Sequence, residues 1–358
     1  MDEGSQPNHH GLNSLRLLFC GTPNFAVPTL KHLLAQPDFE ITAVITQPDR
    51  PRGRGQEVSF SPVKETALAA NVPVFQPEKI RTPESQQFLR EANPDAIVIV
   101  AYGQIIPARL LNIPKLGWIN SHASLLPPYR GAAPIQWAIA NNETKTGITT
   151  MRIDAGMDTG DMLLQRETPI ASNETTPELA TRLAEISAPL MAETLRGLRD
   201  GILHPIPQDH SKASTARLLK KDDGRINWNL PAQTTFNRMR AFTPWPGVYT
   251  SFRGASCHLL FSSTATLASH EERRLYPELG RGCAADDATP GIPQSGTPAA
   301  LSHPAAPGTI LYDGRELLVS CGEETLLVVS RVKVEGRKEV SALEFANGTH
   351  LQSGEHFR

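Results

Sequence analysis

Four short apolar runs punctuate the first 120 residues: LRLLFC (15–20), EITAVIT (40–46), AIVIVA (96–101) and WIN (118–120). Runs this short and this continuous suit strands buried on both faces, whereas a surface helix needs a longer, one-sided stripe. Helical patterns stand between them. PTLKHLLAQ is one, and SPVKETALAA is another, with Ser61 placed as N-cap and Pro62 at the first helical position. Strand, helix, strand repeated in this way implies parallel strands joined by right-handed crossovers. The reading is an α/β fold, a Rossmann-like parallel-sheet domain over residues 15–200, closed by a long helical pattern from Pro177 to Arg199.

At 358 residues the chain favours two domains. A polar, proline-marked stretch, 201–223, reads as a linker. Beyond it, one helical pattern (Pro231 to Ala241) precedes the runs VYTSF, CHLLF, GTILY, ELLVSC and TLLVVSRVKV. Short strands with turn residues between them predict a small antiparallel, OB-like β-barrel over 224–358. Residues 263–306 differ: they are rich in Ser, Thr, Ala, Gly and Pro and hold few large apolar groups. Such a segment cannot offset its own ordering entropy, so a disordered insert between barrel strands is expected. Residues 1–14 are polar, lack the apolar core of a signal peptide, and read as a flexible extension.

Composition removes several classes. No apolar run approaches the roughly 20 residues that cross a bilayer, so a cytoplasmic protein is expected. The four cysteines, Cys20, Cys257, Cys283 and Cys321, lie far apart, which suits neither a disulfide framework nor a metal site. The 35 basic and 37 acidic residues nearly cancel, so a nucleic-acid partner has to be held by local basic patches. CGTPNF (20–25) follows the first strand without GxGxxG spacing; it reads as a tight strand-to-helix turn and gives a dinucleotide cofactor little support.

The segment WINSHASLLPPYRGAAP (118–134) carries the chemistry. Asn120 and His122 stand two apart at the end of a buried strand, so both side chains share one face. That face opens at the carboxyl ends of the parallel strands, where α/β sheets take their ligands. Asp158 arrives from GMDTGDM (156–162), a glycine-flanked turn after the strand GITTMRI. An Asn and a His from one strand end and an Asp from another form an acyl-transfer set with no covalent nucleophile. Taken singly, each has a plainer reading: a His after a strand as a satisfied structural residue, and an Asp beside Gly as a turn former.

NSHASLLPPYRGAAP closely resembles the signature of the folate-dependent formyltransferases, and GMDTGDM resembles the same superfamily's aspartate loop. Acceptors in that superfamily include glycinamide ribonucleotide, sugar-nucleotide amines and aminoacyl-tRNA. TQPDRPRGRG (46–55) looks like the arginine-rich loop that methionyl-tRNA formyltransferases insert after the second strand. VIVAYGQIIP (98–107), DGRINW (223–228) and RAFTPWPG (240–247) are similar to the same family. The resemblance spans about residues 14–261 and 307–345, and the insert and the extension depart from it.

The resemblance implies transfer of a formyl group from 10-formyltetrahydrofolate to the amino group of initiator methionyl-tRNA, without a metal, by a monomer. The same chemistry on a sugar nucleotide or purine precursor, or a non-catalytic RNA-binding relative, are the alternatives. Asn120 would donate to the oxyanion of the tetrahedral intermediate, and His122 would stabilise that charge and supply the leaving-group proton. Asp158 would orient the imidazole and relay the amine proton through water. Folate would lie along Ser124, Leu125, Leu126 and Pro127, their backbone meeting the pterin, with Ile97 to Gly103 as the opposite wall. Arg50, Arg52 and Arg54 would reach the acceptor stem from a mobile loop, and the barrel would bind tRNA as well. Arg130 and Gly131 either shape the turn into the next helix or touch ligand.

Overall fold

The apolar runs fold as central strands. A computed structural model describes residues 14–52, 57–266 and 305–358. The first unit holds β1 (Leu15–Gly21), β2 (Phe39–Ile45), β3 (Arg50–Arg52), β4 (Glu57–Ser59), β5 (Val74–Phe75), β6 (Ala96–Val100), β7 (Trp118–His122), β8 (Lys145–Arg152) and β9 (Met162–Pro169). The main sheet runs β5-β2-β1-β6-β7-β8-β9. Its first five strands are parallel, as expected, and β8 and β9 then add an antiparallel extension. Periodicity reports burial and carries no strand direction, so the reversal was not readable.

The crossovers include α1 (Val27–Leu34), α2 (Pro62–Ala69), α3 (Pro83–Ala92) and α4 (Ala108–Leu111); α5 (Pro134–Ala140) and α6 (Thr176–Arg199) follow. Ser61 caps α2 as predicted, accepting from Lys64 N at 3.1 Å. Alternate residues of the sheet enter two cores. Leu17, Phe19, Val98 and Ile119 pack with Leu30 and Leu33 of α1 and Met191 and Leu195 of α6. Leu18, Cys20, Ile97, Ile99 and Trp118 pack with Leu89 of α3 and Tyr102. Burial on both faces is what continuous apolar strands require.

Residues 201–218, expected as part of a linker, belong to the first unit. Met162 and Ile206 exchange both backbone hydrogen bonds at 2.8 Å, so the segment satisfies backbone groups at the start of β9.

The second unit has β10 (Tyr249–Phe252), β11 (Ala255–Thr266), β12 (Ile310–Tyr312), β13 (Leu317–Ser320), β14 (Thr325–Val334) and β15 (Val340–Ser341), with α7 (Ala232–Ala241) and α8 (Ala342–Thr349). The antiparallel order is β10-β11-β14-β13-β12, with β15 on β14. The chain's last residues bridge the two sheet edges. Ser251 and Arg358 exchange hydrogen bonds at 2.8 and 2.9 Å, Phe357 N donates to Gly308 O at 2.9 Å, and Ile310 N donates to Glu355 O at 2.7 Å. Curling the sheet in this way pairs edges that would otherwise stand open. Phe252, Phe345 and Phe357 cluster inside it with Trp228.

The insert begins later than expected. β11 runs to Thr266, paired with Thr325 of β14, and Ala305 O accepts from Ser320 Oγ at 2.8 Å. Residues 263–266 and 305–306 therefore belong to the barrel; 267–304 and 1–13 lie outside the described residues. Cys20, Cys257 and Cys321 are buried, and burial pushes the thiols of Cys257 and Cys321 up to about 12, which makes them poor nucleophiles. Among the described residues no helix is long and apolar enough to cross a membrane.

Candidate active site

Strand β7 sorts its side chains by parity. Ile119 and Ser121 face α6, where Ser121 Oγ lies 2.6 Å from Ser187 Oγ. Trp118, Asn120 and His122 take the opposite face. Asn120 and His122 are only 8% and 6% exposed. Among the described residues the Asn120 amide has no hydrogen-bond partner, and it is not among the fully buried unpaired groups, which are Tyr102 OH and Arg152 Nε, so the little exposure Asn120 keeps leaves its amide open to the site.

The His122 ring sits between two acceptors. Its Nε2 lies 2.9 Å from Tyr129 O, so that nitrogen carries a proton and donates to the carbonyl. Nδ1 lies 3.6 Å from Asp158 Oδ2. A neutral ring therefore points a lone pair at the carboxylate, and a proton gained at Nδ1 converts that contact into an ion pair.

Asp158 reaches His122 by a reversal. Because β8 runs antiparallel to β7, its end at Arg152 lies beside Ile119, and the turn after it folds back over the sheet. Asp154 locks that turn by accepting from Gly156 N at 3.0 Å and from Thr159 Oγ1 at 2.7 Å. Gly160 passes so close to Arg152 that a Cβ would stand 2.0 Å from its carbonyl oxygen. Tyr129 and Asp158, on the two turns that meet at the imidazole, are left-handed, with φ of 64° and 52°. Non-glycine residues persist in that region where surrounding bonds hold them.

Those bonds come from the segment read as a linker. Arg130 N donates to Ser214 O at 2.9 Å, Ala216 N donates to Arg130 O at 2.6 Å, and Ser214 Oγ accepts from Tyr129 N at 2.9 Å. The Arg130 guanidinium is occupied by Gln208 Oε1, at 3.1 and 2.7 Å, and by His210 Nδ1 at 3.1 Å. Arg130 and Gly131 thus shape the turn. No local pattern marks Gln208 or Ser214, since their partners lie 48 to 85 residues away in the chain.

The other expected residues divide. Ser124 and Leu126 are buried, and Thr149 Oγ1 donates to Ser124 O at 2.7 Å and accepts from Leu126 N at 3.1 Å. Leu126 O accepts from Gln165 Nε2 at 2.9 Å. Those backbone groups already hold partners within the fold, and Leu125 and Pro127 are half-buried beside them in the run. Ile97 to Val100 are buried strand residues, while Ala101 and Gly103 are exposed at the strand's end.

Arg50 and Arg52 lie on a short hairpin, β3 with β4, in place of the mobile loop expected. Pro51 opposite Val58 still leaves room for antiparallel pairing at the edge. The exposed Arg50 guanidinium pairs with Glu78 at 3.1 Å. Arg54 lies outside the described residues, as does the Arg52 side chain. Among the described residues no group of three or more His, Cys, Asp or Glu is placed to hold a metal.

An acid, an imidazole and an open amide at the strand ends of a Rossmann-like sheet, with a curled antiparallel sheet as second unit, define an acyl-transfer architecture. The chain belongs to the formyl transferase family: residues 15–195 match its formyl transferase model and 218–350 its C-terminal domain model. Its relatives include the methionyl-tRNA formyltransferase of Solibacter usitatus, 48% identical over 95% of this chain and 98% of that one. That of Koribacter versatilis is 45% identical over 95% and 97%. The fold is shared with a sugar 3N-formyltransferase, WlaRD, solved with dTDP and 5-N-formyl-THF (TM-score 0.58, 16% identity, 92% of this chain and 100% of that one). The N-formyltransferase of Helicobacter canadensis, solved with folinic acid and dTDP-3-aminofucose, is similar (TM-score 0.57, 17% identity, 88% and 98%).

Proposed function

We propose that this chain transfers the formyl group of 10-formyltetrahydrofolate to the amino group of methionyl-tRNA, the initiator species. The observation that carries the chemistry is the unpartnered Asn120 amide beside an imidazole held between Tyr129 O and Asp158. Similarity at 48% identity across nearly the whole of a methionyl-tRNA formyltransferase supports the acceptor.

The amine nitrogen attacks the formyl carbon, a C–N bond forms, and the carbonyl oxygen becomes an oxyanion. Asn120 donates to that oxygen, an interaction stronger in the intermediate than in the ground state. Asp158 accepts the proton that the amine sheds, through water. Passed on to His122 Nδ1, 3.6 Å away, that proton makes the ring an imidazolium, which protonates N10 as the C–N10 bond breaks, so the amine's lost proton is balanced by the one N10 gains. Leu125 and Pro127 offer the apolar surface for the folate. Arg50, Arg52 and Arg54 meet acceptor-stem phosphates, and the barrel carries the rest of the tRNA.

The test is purified protein with 10-formyltetrahydrofolate and charged initiator tRNA, following N-formylmethionine released from the tRNA. Formylation of the tRNA and none of an amino-sugar nucleotide is the expected result. The converse pattern overturns the acceptor, and no transfer to either overturns the reaction.

A further inference from the structure

Gln208 is 6% exposed and uses both ends of its amide. Its Oε1 accepts from Arg130 Nε at 3.1 Å and Nη2 at 2.7 Å. Its Nε2 donates to Asp158 O at 2.9 Å and to Gly160 O at 2.7 Å. The partners fix the amide's orientation, since guanidinium only donates and carbonyls only accept. One side chain thereby ties the turn bearing Tyr129, whose carbonyl holds His122 Nε2, to the turn bearing Asp158. A second tie runs parallel, from Gly131 N to Asp158 Oδ2 at 2.9 Å.

From this bracing we infer that Gln208 is a positioning residue for formyl transfer, setting the separation of His122 and Asp158 without touching substrate. The inference rests on the catalytic set proposed above. Asp158 sits in a left-handed turn whose backbone carbonyl is held by Gln208. Losing the brace lets the carboxylate drift from Nδ1, and displacements near 1 Å at a reacting centre cost about a hundredfold in rate. Gln208→Glu isolates the donor end. It keeps the volume and pairs with Arg130, but sets a carboxylate oxygen against the carbonyls of Asp158 and Gly160.

The experiment is a double-mutant cycle read by steady-state formylation of methionyl-tRNA and by melting temperature, with Gln208→Ala, Gln208→Glu and Asp158→Ala singly and in combination. Gln208→Ala and Gln208→Glu should each lower kcat about tenfold to a hundredfold, with KM for folate and tRNA within about twofold. Neither should lower kcat further once Asp158 is alanine. Where the alanine variant does not fold, the isosteric glutamate variant carries the cycle. Equal losses in both backgrounds, or kcat unchanged in the single variants, overturn the positioning role. Wild-type kcat in Asp158→Ala overturns the catalytic set itself, a failure visible before Gln208 is altered.

Discussion

Gly131 donates its backbone N–H to Oδ2 of Asp158 at 2.9 Å. It does so at a φ of +116°, a conformation that L side chains rarely adopt, and a Cβ there would stand 2.7 Å from Ala216 O. Gly131→Ala must therefore shift either the turn or the 214–216 segment that braces it. Strain of this kind costs on the order of 1–3 kcal/mol. The expected outcome is a lowered melting temperature together with a kcat loss of tenfold or more, with folate binding retained. Unchanged kcat with a lowered melting temperature would separate the turn from the chemistry.

Within the catalytic set, activity and stability part company at Asn120 and fall together at His122. Asn120, His122 and Asp158, each changed to Ala, should each lose about 10²-fold or more in kcat. Asn120→Ala removes an amide that makes no hydrogen bond within the described residues, so the fold loses no partner and the melting temperature should hold or rise. His122→Ala removes the hydrogen bond from Nε2 to the Tyr129 carbonyl and a nearly buried ring, and should melt lower. Near-wild-type kcat in two of the three folded variants would sink the assignment.

The contrast between Asn120 and Gln208 explains what was legible. Asn120 and His122 lie on a strand, where period-two alternation places side chains by counting, and the apolar runs marked that strand clearly. Asp158 was legible through its glycine-flanked turn, although the antiparallel reversal that delivers it was not. Gln208 sits in a polar, proline-marked segment whose local composition resembles a tether, and its four hydrogen bonds all reach distant residues. The surroundings of Ser124 and Leu126 were hidden for a related reason: Thr149, on β8, bonds to their backbone groups, a pairing set by tertiary register.

Asp38 predicts an acid-sensitive term in stability. Hydrogen bonds from Arg196, chiefly, and from Arg199 hold its carboxyl at about 2, below the ordinary 3.8. A carboxyl lowered on folding contributes stability above its unfolded value and loses it as pH falls from about 4 through about 2. The interval corresponds to at most about 2.5 kcal/mol, and partial exposure of both partners screens it to about 1 kcal/mol. Asp38→Asn should lower the melting temperature at pH 7 and flatten its decline between pH 4 and 2. Parallel melting curves for the two proteins across that range would show that the pair contributes nothing.

Arg50 presents the sharpest test of tRNA binding, because its guanidinium already has a partner. Arg50 and Glu78 are 66% and 74% exposed, and an ion pair that open to water is worth about 0–1 kcal/mol. A phosphate can displace Glu78 at little cost, so the pair acts as a weak competitor for the RNA. Glu78→Gln should then tighten methionyl-tRNA binding severalfold at low salt, while Arg50→Ala weakens it. Arg52→Ala with Arg54→Ala should weaken it further and leave folate binding intact. For every phosphate that no longer meets an arginine, the plot of log Kd against log salt should flatten by about 0.7 to 0.9 in slope, since fewer counterions are released. The measurement is tRNA affinity across a salt series, paired with single-turnover formylation. A slower rate at undiminished affinity would mean that the hairpin orients the acceptor amine and does not grip the backbone. Affinity, salt slope and rate all equal to wild type in both the arginine and Glu78 variants would leave the hairpin as a solvated surface element.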